Sequence, residues 1–180
     1  VANTNGGKDT IEIWADFSLS ARINSGNGSD LISLEEANSS FVNAGNGNDT
    51  MILGRSRPYE MSELRVAKKI KDIVVGGSGR DQFVFNQRPG VSAYALNGKD
   101  DFCVLKDFQS MDEIVFHGNE ELRIDQRNGK IKLAATGAYK AQFVGFTARL
   151  YADNDLIAYI SGSEPSLSDI SQVALTAFDS

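Results

Sequence analysis

The chain has 180 residues, a formal net charge of −6 and a pI near 4.8. This acidic balance argues against nucleic acid as the main partner and suits a divalent cation, which would neutralise the surplus charge. No apolar run approaches the roughly 20 residues of a membrane-spanning helix, and the single cysteine excludes an internal disulfide framework. Because the sequence starts at Val1 rather than Met, we expect it to be part of a longer polypeptide.

Five segments of one form recur from the N-terminus onward, each a Gly-x-Asp triplet followed by a short alternating stretch. Their aspartates are 21, 19, 32 and 19 residues apart. In every segment the second and fourth residues after the aspartate are apolar, which predicts a strand that buries alternate side chains. The triplets are Gly7-Lys8-Asp9, Gly28-Ser29-Asp30, Gly47-Asn48-Asp49, Gly79-Arg80-Asp81 and Gly98-Lys99-Asp100, and the apolar pairs are Ile11/Ile13, Ile32/Leu34, Met51/Leu53, Phe83/Phe85 and Phe102/Val104.

The period of this repeat predicts the architecture. A spacing of 19 residues is too short for a helix-and-strand crossover and fits one coil of a parallel solenoid with two strands and two turns. A single coil cannot bury its apolar strip, so the coils must stack, and equivalent aspartates would then form a row along one edge. Carboxylates in such a row repel one another unless a cation lies between them. Ca²⁺ suits this role because it accepts several carboxylate and backbone carbonyl oxygens in flexible geometry.

Three stretches, Ser25–Ile32, Ala44–Met51 and Gly76–Phe83, resemble the nonapeptide of the hemolysin-type (repeats-in-toxin, RTX) calcium-binding family, Gly-Gly-x-Gly-x-Asp-x-apolar-x. A fourth, Leu105–Ile114, is similar to the Asp-Phe…Asp-x-Ile element that closes such domains. The resemblance implies an all-β fold, a right-handed parallel β-roll of about five coils with calcium between successive turns. It also implies export by type I secretion machinery through an uncleaved C-terminal signal, and therefore a secreted or cell-surface bacterial protein.

The calcium ligands that the resemblance implies lie in the glycine-rich turns. They are Asn24, Gly26, Gly28, Asp30, Asn43, Gly45, Gly47, Asp49, Gly77, Gly79, Asp81, Gly98 and Asp100, with Asp9 and Asp107 at the two ends. The opposite turns, such as residues 35–39, lack the pattern, so we expect calcium on one edge only. In the closing element the two aspartates are one residue closer together than in the usual form, and Asp112 is left out of the ligand set.

A basic insert at residues 54–72 accounts for the long spacing between the third and fourth aspartates. We interpret it as a solvated surface loop with a short helix around residues 60–71. From Ile114 on, the pattern changes to antiparallel β. A hairpin is predicted around Asn128-Gly129, with further strands at residues 141–146, 149–151 and 156–160. These strands would cap the β-roll, which divides the chain into a calcium-binding unit at 1–113 and a cap with the secretion signal at 114–180.

The function predicted from these features is a calcium-binding structural module of a larger secreted protein, which folds when it meets extracellular calcium. No catalytic residue is assigned, because the lone His117 has no metal-ligating partner in the sequence and Cys103 has no neighbouring base. Two alternatives stay open. One is a solenoid lyase or epimerase that acts on an acidic polysaccharide, and the other is an adhesion module that binds such a polysaccharide through the basic insert.

Overall fold

The structure, a computed structural model, describes residues 1–13, 20–34, 39–54, 70–85, 94, 101–109, 111–118, 122–126, 129–133, 137–141, 147–152 and 155–162. In these ranges the chain is all-β, with no helix and hence none that could cross a membrane. The strands of the described residues are β1 (Ala2–Asn3), β2 (Thr10–Glu12), β3 (Arg22–Asn24), β4 (Leu31–Ser33), β5 (Phe41–Asn46), β6 (Thr50–Leu53), β7 (Ile70–Ser78), β8 (Gln82–Phe85), β9 (Asp101–Phe108), β10 (Glu113–Gly118), β11 (Leu122–Gln126), β12 (Gly129–Leu133), β13 (Gly137–Ala141), β14 (Thr147–Ala152) and β15 (Asp155–Gly162).

These strands form two sheets. The nine-stranded sheet has the order β1-β3-β5-β7-β9-β15-β14-β11-β12, and the six-stranded sheet has the order β13-β10-β8-β6-β4-β2. From β1 to β10 the strands alternate between the two sheets, and each strand pairs in parallel with the strand two places earlier. The parallel pairing that the repeat predicts is therefore present.

The inward-facing side chains of both sheets form one hydrophobic core. Val42 and Val74 of the nine-stranded sheet and Met51 and Phe83 of the six-stranded sheet are all 0% exposed. The alternation predicted after the first four aspartates is confirmed. The pairs Ile32/Leu34, Met51/Leu53 and Phe83/Phe85 are buried, and Ile11 and Ile13 are partly buried against the same core.

The fifth predicted segment has a different place in the fold. Residues 102–104 lie in β9, which pairs with β7 in the nine-stranded sheet, so they precede a turn rather than follow one. Cys103 is buried, whereas Phe102 and Val104 are only half-buried. The prediction that Phe102 and Val104 point inward is therefore wrong. The run from 102 to 105 is apolar at every position, so either alternate set could face the core, and only the pairing with β7 decides between them.

The basic insert ends earlier than predicted. Strand β7 begins at Ile70, so residues 70–72 belong to the nine-stranded sheet and not to an insert or to the end of a helix. Asp72 is buried within that strand. The rest of the insert, residues 55–69, and its predicted helix lie outside the described residues.

The C-terminal strands combine antiparallel and parallel pairing. The predicted hairpin is confirmed, since β11 and β12 are antiparallel with Ile124 opposite Ile131. Strands β14 and β15 contain the predicted segments 149–151 and 156–160, while β13 ends at Ala141, where the predicted segment 141–146 begins. Two features differ from the predicted change to antiparallel pairing at Ile114. Strand β10 pairs in parallel with β8 as well as antiparallel with β13, and β15 is parallel to β9.

Candidate metal centre

Four glycine-rich turns stack along one side of the paired sheets. They lie at residues 4–9, 25–30, 44–49 and 76–81, where the chain passes from β1, β3, β5 and β7 to the next strand. The strand registers align them, with Asn24 opposite Asn43 and Gly45 opposite Gly77. We call this side of the molecule the glycine edge. It brings together the predicted ligand positions of the first four segments.

The glycines of this edge are required by close contact between successive turns. Gly28 and Gly47 have φ values of 132° and 136°, in a region that side chains rarely adopt. A Cβ on Gly47 would lie 1.7 Å from the carbonyl oxygen of Gly28, and a Cβ on Gly28 would lie 1.7 Å from that of Gly7. Backbone carbonyls of one turn therefore lie directly against the next turn, which is the arrangement a cation site between turns needs.

The aspartates of the glycine edge form a continuous hydrogen-bonded row. The backbone N–H of Asp9 donates to Oδ1 of Asp30 at 2.8 Å, and that of Asp30 donates to Oδ1 of Asp49 at 2.8 Å. The row continues from Asp49 to Oδ1 of Asp81 at 2.9 Å. One carboxylate oxygen of Asp30, Asp49 and Asp81 thus joins each turn to the preceding one.

The second oxygen of each carboxylate has no such partner. The Oδ2 atoms of Asp9, Asp30, Asp49 and Asp81 are buried and accept no hydrogen bond. A buried, unpaired carboxylate oxygen is costly, because the water it has lost is not replaced. The four Oδ2 atoms, in turns whose carbonyls contact the next turn, are oxygen donors of the kind that a hard cation prefers.

Two aspartates of the row have raised pKa values, because their charged forms are unfavourable in this environment. Burial, with a further contribution from the carboxylates of Asp112, Asp49 and Asp107, raises the pKa of Asp81 to about 7, although the hydrogen bond from the backbone N–H of Asp49 acts to lower it. Burial also raises the pKa of Asp49, with a smaller contribution from the charge of Asp30. The protein fold alone therefore does not stabilise the charged form of these groups, and a bound cation would.

The donors described at this edge are oxygen atoms, namely the aspartate Oδ2 atoms and the backbone carbonyls of the turns. Among the described residues, no group of three or more His, Cys, Asp or Glu side chains is arranged to hold a metal ion. Oxygen-only coordination with many carbonyls is typical of Ca²⁺, whereas Zn²⁺ requires nitrogen or sulfur ligands.

The next member of the row is Asp112, which the sequence-based ligand set omits. The backbone N–H of Asp81 donates to Oδ1 of Asp112 at 3.0 Å, and Oδ2 of Asp112 accepts from the N–H of Gln109 at 2.7 Å. A signal was present in the sequence, because the second and fourth residues after Asp112 are Ile114 and Phe116, both buried. It was missed because no glycine triplet precedes Asp112. Gly98 and Asp100, assigned to this place, lie outside the described residues.

Asp107 closes the stack of turns. Its Oδ1 accepts from the N–H of Gly76 at 3.1 Å and its Oδ2 from the N–H of Gly77 at 2.9 Å. The side chain of Gln109 donates to the carbonyl oxygen of Gly77. These contacts satisfy backbone groups that a further glycine turn would otherwise cover. The structure thus gives Asp107 a capping role, and its role as a metal ligand stays a prediction.

Asn24 and Asn43 form a side-chain ladder. The Nδ2 of Asn43 donates to Oδ1 of Asn24 at 3.1 Å. Their backbone carbonyls accept from the N–H groups of Thr4 and Ser25 at 3.0 and 3.1 Å. Both residues therefore contribute to stacking through side chain and backbone, and their part in metal binding is an untested prediction.

The opposite edge has a polar row of its own, in which both carboxylate oxygens of Asp72 accept hydrogen bonds. Oγ of Ser40 accepts from the N–H of Ala21 at 2.9 Å, and the N–H of Ser40 donates to Oδ1 of Asp72 at 2.6 Å. The hydroxyl of Tyr94 donates to Oδ2 of Asp72 at 2.5 Å. Burial raises the pKa of Asp72 to about 6. Both oxygens of this carboxylate have protein donors, in contrast to those of the glycine edge.

Comparison with known proteins gave no match of significance: neither a family model, nor a curated protein, nor a solved structure.

Proposed function

We propose that the chain is a calcium-binding structural module, a right-handed parallel β-roll of about five coils, in which Ca²⁺ bound between the turns of the glycine edge drives folding. The observation that carries this proposal is the row of buried Oδ2 atoms of Asp9, Asp30, Asp49 and Asp81 without a hydrogen-bond donor. The alternation of strands between two parallel sheets supports the β-roll, since it is the pairing that successive coils would produce.

The chemistry of the edge explains why calcium and folding would be coupled. When bound, Ca²⁺ supplies positive charge and open coordination positions. Oδ2 of each aspartate and the carbonyls of neighbouring turns would hold the ion, while Oδ1 keeps its hydrogen bond to the preceding turn. Without the ion, folding must bury several carboxylates whose charges raise one another's pKa values. Binding energy therefore becomes folding energy.

Such a module would serve a larger secreted protein. A chain that stays loosely folded at low calcium and folds at extracellular calcium is suited to export through type I machinery followed by folding outside the cell. We infer that the module itself is not catalytic. Cys103 supports this, because its thiol is fully buried and burial raises its pKa well above the ordinary value, which makes it a poor nucleophile.

The test is a calcium titration of the calcium-depleted chain, followed by circular dichroism, with a count of bound ions by equilibrium dialysis. We expect the β signal and the midpoint of thermal unfolding to rise with calcium and to fall again when a chelator is added. Magnesium at the same concentration should be much less effective, because it tolerates flexible carbonyl coordination poorly.

A matched pair of variants identifies the edge that binds. Asp49→Asn removes one unpaired Oδ2, whereas Asp72→Asn changes a buried carboxylate on the opposite edge. The first should lower the number of bound ions and the second should leave it unchanged. If neither calcium nor chelator changes the circular dichroism spectrum or the midpoint of thermal unfolding, the proposal is disproved.

A further inference from the structure

The outer face of the nine-stranded sheet carries most of the cationic side chains that the structure describes. Five of the seven Lys and Arg side chains with described surroundings lie on it, although the whole chain has a net charge of −6. The five are Arg22, Lys71, Lys106, Arg123 and Arg149, and the other two are Lys8 and Arg80. All but Arg123 are exposed. Positive charge is thus concentrated on one face of an acidic molecule.

One row of side chains, opposite one another on neighbouring strands, runs across this face. Strand registers align Arg22 with Phe41, Phe41 with Ile73, Ile73 with Val104, Val104 with Tyr159 and Tyr159 with Arg149. The row has a cation at each end and half-buried aromatic and aliphatic side chains between them. At a strand separation of about 4.8 Å, five steps make it about 24 Å long. That length suits a polymer rather than a single small molecule.

Four of the five cations of this face lie over aromatic rings; they are Arg22, Lys71, Arg123 and Arg149. The guanidinium of Arg22 is 5.0 Å from the ring centre of Phe41, and that of Arg149 is 5.6 Å from the ring centre of Tyr159. The ammonium of Lys71 is 5.9 Å from the ring centre of Phe102. Such contacts hold the long side chains against the sheet, so less side-chain entropy is lost when an anion binds. We call Arg22, Lys71, Lys106 and Arg149, with Phe41, Phe102 and Tyr159, the basic face.

We propose that the basic face binds an acidic polysaccharide. Arg22, Lys71, Lys106 and Arg149 contact its carboxylates, and the apolar faces of its sugar rings pack on the half-buried Phe102 and Tyr159. The two ring systems are in edge contact, with centres 5.0 Å apart, and form a continuous apolar patch between the cations. A uronic acid polymer carries both features that this surface complements: regularly spaced carboxylates and apolar ring faces.

Other anionic polymers fit this surface less well. The net charge of −6 repels the dense phosphates of nucleic acid. An acidic peptide that binds by adding a strand needs a free sheet edge. The strands that carry the basic face each have two neighbours in this sheet; they are β3, β5, β7, β9, β15 and β14. Three of the four cations of the basic face lie outside the predicted insert at residues 54–72, and the fourth, Lys71, lies on the part of that range that forms β7.

The experiment measures binding to the whole chain in saturating calcium by isothermal titration calorimetry. The probes are a uronic acid octasaccharide, a neutral octasaccharide, a polyglutamate 12-mer and a single-stranded DNA 12-mer. We expect the uronic acid octasaccharide to bind most tightly, the neutral one not to bind, and the affinity to fall as salt is raised. Equal or tighter binding of polyglutamate or DNA would overturn the assignment to a polysaccharide, as would no binding of the uronic acid octasaccharide.

Charge-matched variants locate the surface. Arg22→Gln and Arg149→Gln should each weaken binding by roughly threefold, and the double variant by about tenfold, because exposed ion pairs contribute modestly. Lys8→Gln removes the same charge from the glycine edge and should leave the affinity unchanged. All three residues are exposed, so circular dichroism in calcium should show intact folding. Equal losses in Lys8→Gln and Arg149→Gln would mean that only net charge matters, which contradicts the proposal.

Discussion

At the scale of single residues, the carboxylate of Asp49 has two separate tasks. Its Oδ1 accepts a 2.8 Å hydrogen bond from the backbone of Asp30, while its Oδ2 is buried without a donor. The first oxygen holds adjacent turns together whether or not a metal is bound. The second is unfavourable in the metal-free chain and becomes favourable only when a cation contacts it.

Asp49→Asn should therefore change stability in opposite directions in the two states. The amide keeps an oxygen for Asp30 and removes the charge, so the metal-free chain should be unchanged or slightly more stable. With calcium at about 100 times its Kd, loss of one site should lower the free energy of unfolding by about 2–3 kcal/mol. Urea unfolding with and without calcium, in an osmolyte such as sucrose so that the metal-free fold is populated, measures both values. A smaller loss than in Asp9→Asn would contradict the stacked row, since Asp9 has only one neighbour in it.

Gly47→Ala tests the close approach of the turns. Its Cβ would lie 1.7 Å from the carbonyl oxygen of Gly28, which is backbone and cannot move aside. We expect the variant not to fold even in calcium. Gly7→Ala is the matched control, because Gly7 also has a positive φ, 111°, but nothing lies within 4 Å of its Cβ position. It should lose only about 1–2 kcal/mol from backbone strain, measured by urea unfolding. Similar losses in the two variants would mean that the turns do not approach as closely as the structure indicates.

At the scale of elements, the connection between β9 and β10 ends the stack of glycine turns. Asp107, which has a φ of 56°, turns its carboxylate back onto the amides of Gly76 and Gly77. Strand β13 then pairs with β10, and β15 pairs with β9, so that neither β9 nor β10 is an edge strand. Protection of parallel edges by further strands is a common defence against aggregation.

Asp107→Ala distinguishes a cap from a metal ligand. It removes the acceptors of two backbone N–H groups, so the free energy of unfolding should fall by about 2–4 kcal/mol. Because no metal is involved in these bonds, the loss should be similar with and without calcium. Urea unfolding in both conditions, again in osmolyte, gives the comparison. A loss that appears only with calcium would instead support the ligand role that the family resemblance implies.

At the scale of the whole molecule, several buried carboxylates make the metal-free fold sensitive to pH. Burial raises the pKa of Asp72 to about 6 and that of Asp81 to about 7, from an ordinary value of 3.8. Between pH 3.8 and about pH 7 the folded chain binds more protons than the unfolded chain, so the free energy of unfolding falls as pH rises. The stabilising contribution is complete below about pH 4 and is lost as pH passes through about 6 and then about 7.

We therefore expect the calcium-depleted chain to be more stable at pH 5 than at pH 7.5, as measured by urea unfolding. Calcium should weaken or reverse this trend, because it competes with protons for the same carboxylates and binds better as pH rises. Asp72→Asn should remove the loss of stability that occurs up to about pH 6 and leave the loss that continues up to about pH 7. A stability that rises with pH without calcium would show that the carboxylates of the glycine edge are not buried as described.

Much of the architecture could be predicted from local patterns. The apolar residues two and four positions after an aspartate indicate strands with one buried face. Such residues are buried in the structure, as in Met51, Leu53, Phe83 and Phe85. Asn128-Gly129 between two alternating stretches indicates a hairpin, and β11 and β12 form it. These predictions succeed because strand alternation and tight turns depend on neighbours in sequence.

The ends of the repeat could not be predicted in this way. The glycine triplet at 98–100, predicted as a fifth unit, lies outside the described residues, and among the described residues the row continues from Asp81 to Asp112, 31 residues later. The run from Phe102 to Leu105 is apolar throughout, so its periodicity does not show which side faces the core. The wrong orientation of Phe102 and Val104 and the omission of Asp112 have one cause, since register between distant strands is decided by pairing across the sheet.

By itself, the sequence determined that the chain is β-rich, that it repeats with a glycine turn ending in aspartate, and where most buried strands lie, because these features follow from residue type and spacing along the chain. Only the tertiary structure decided how each carboxylate is used. Asp49 keeps an unpaired Oδ2, Asp107 and Asp112 have both oxygens occupied, and Asp72 is paired on the opposite edge. For Asp49, Asp72 and Asp107 the hydrogen-bond donors are 19 to 32 residues away, and no local pattern contains them.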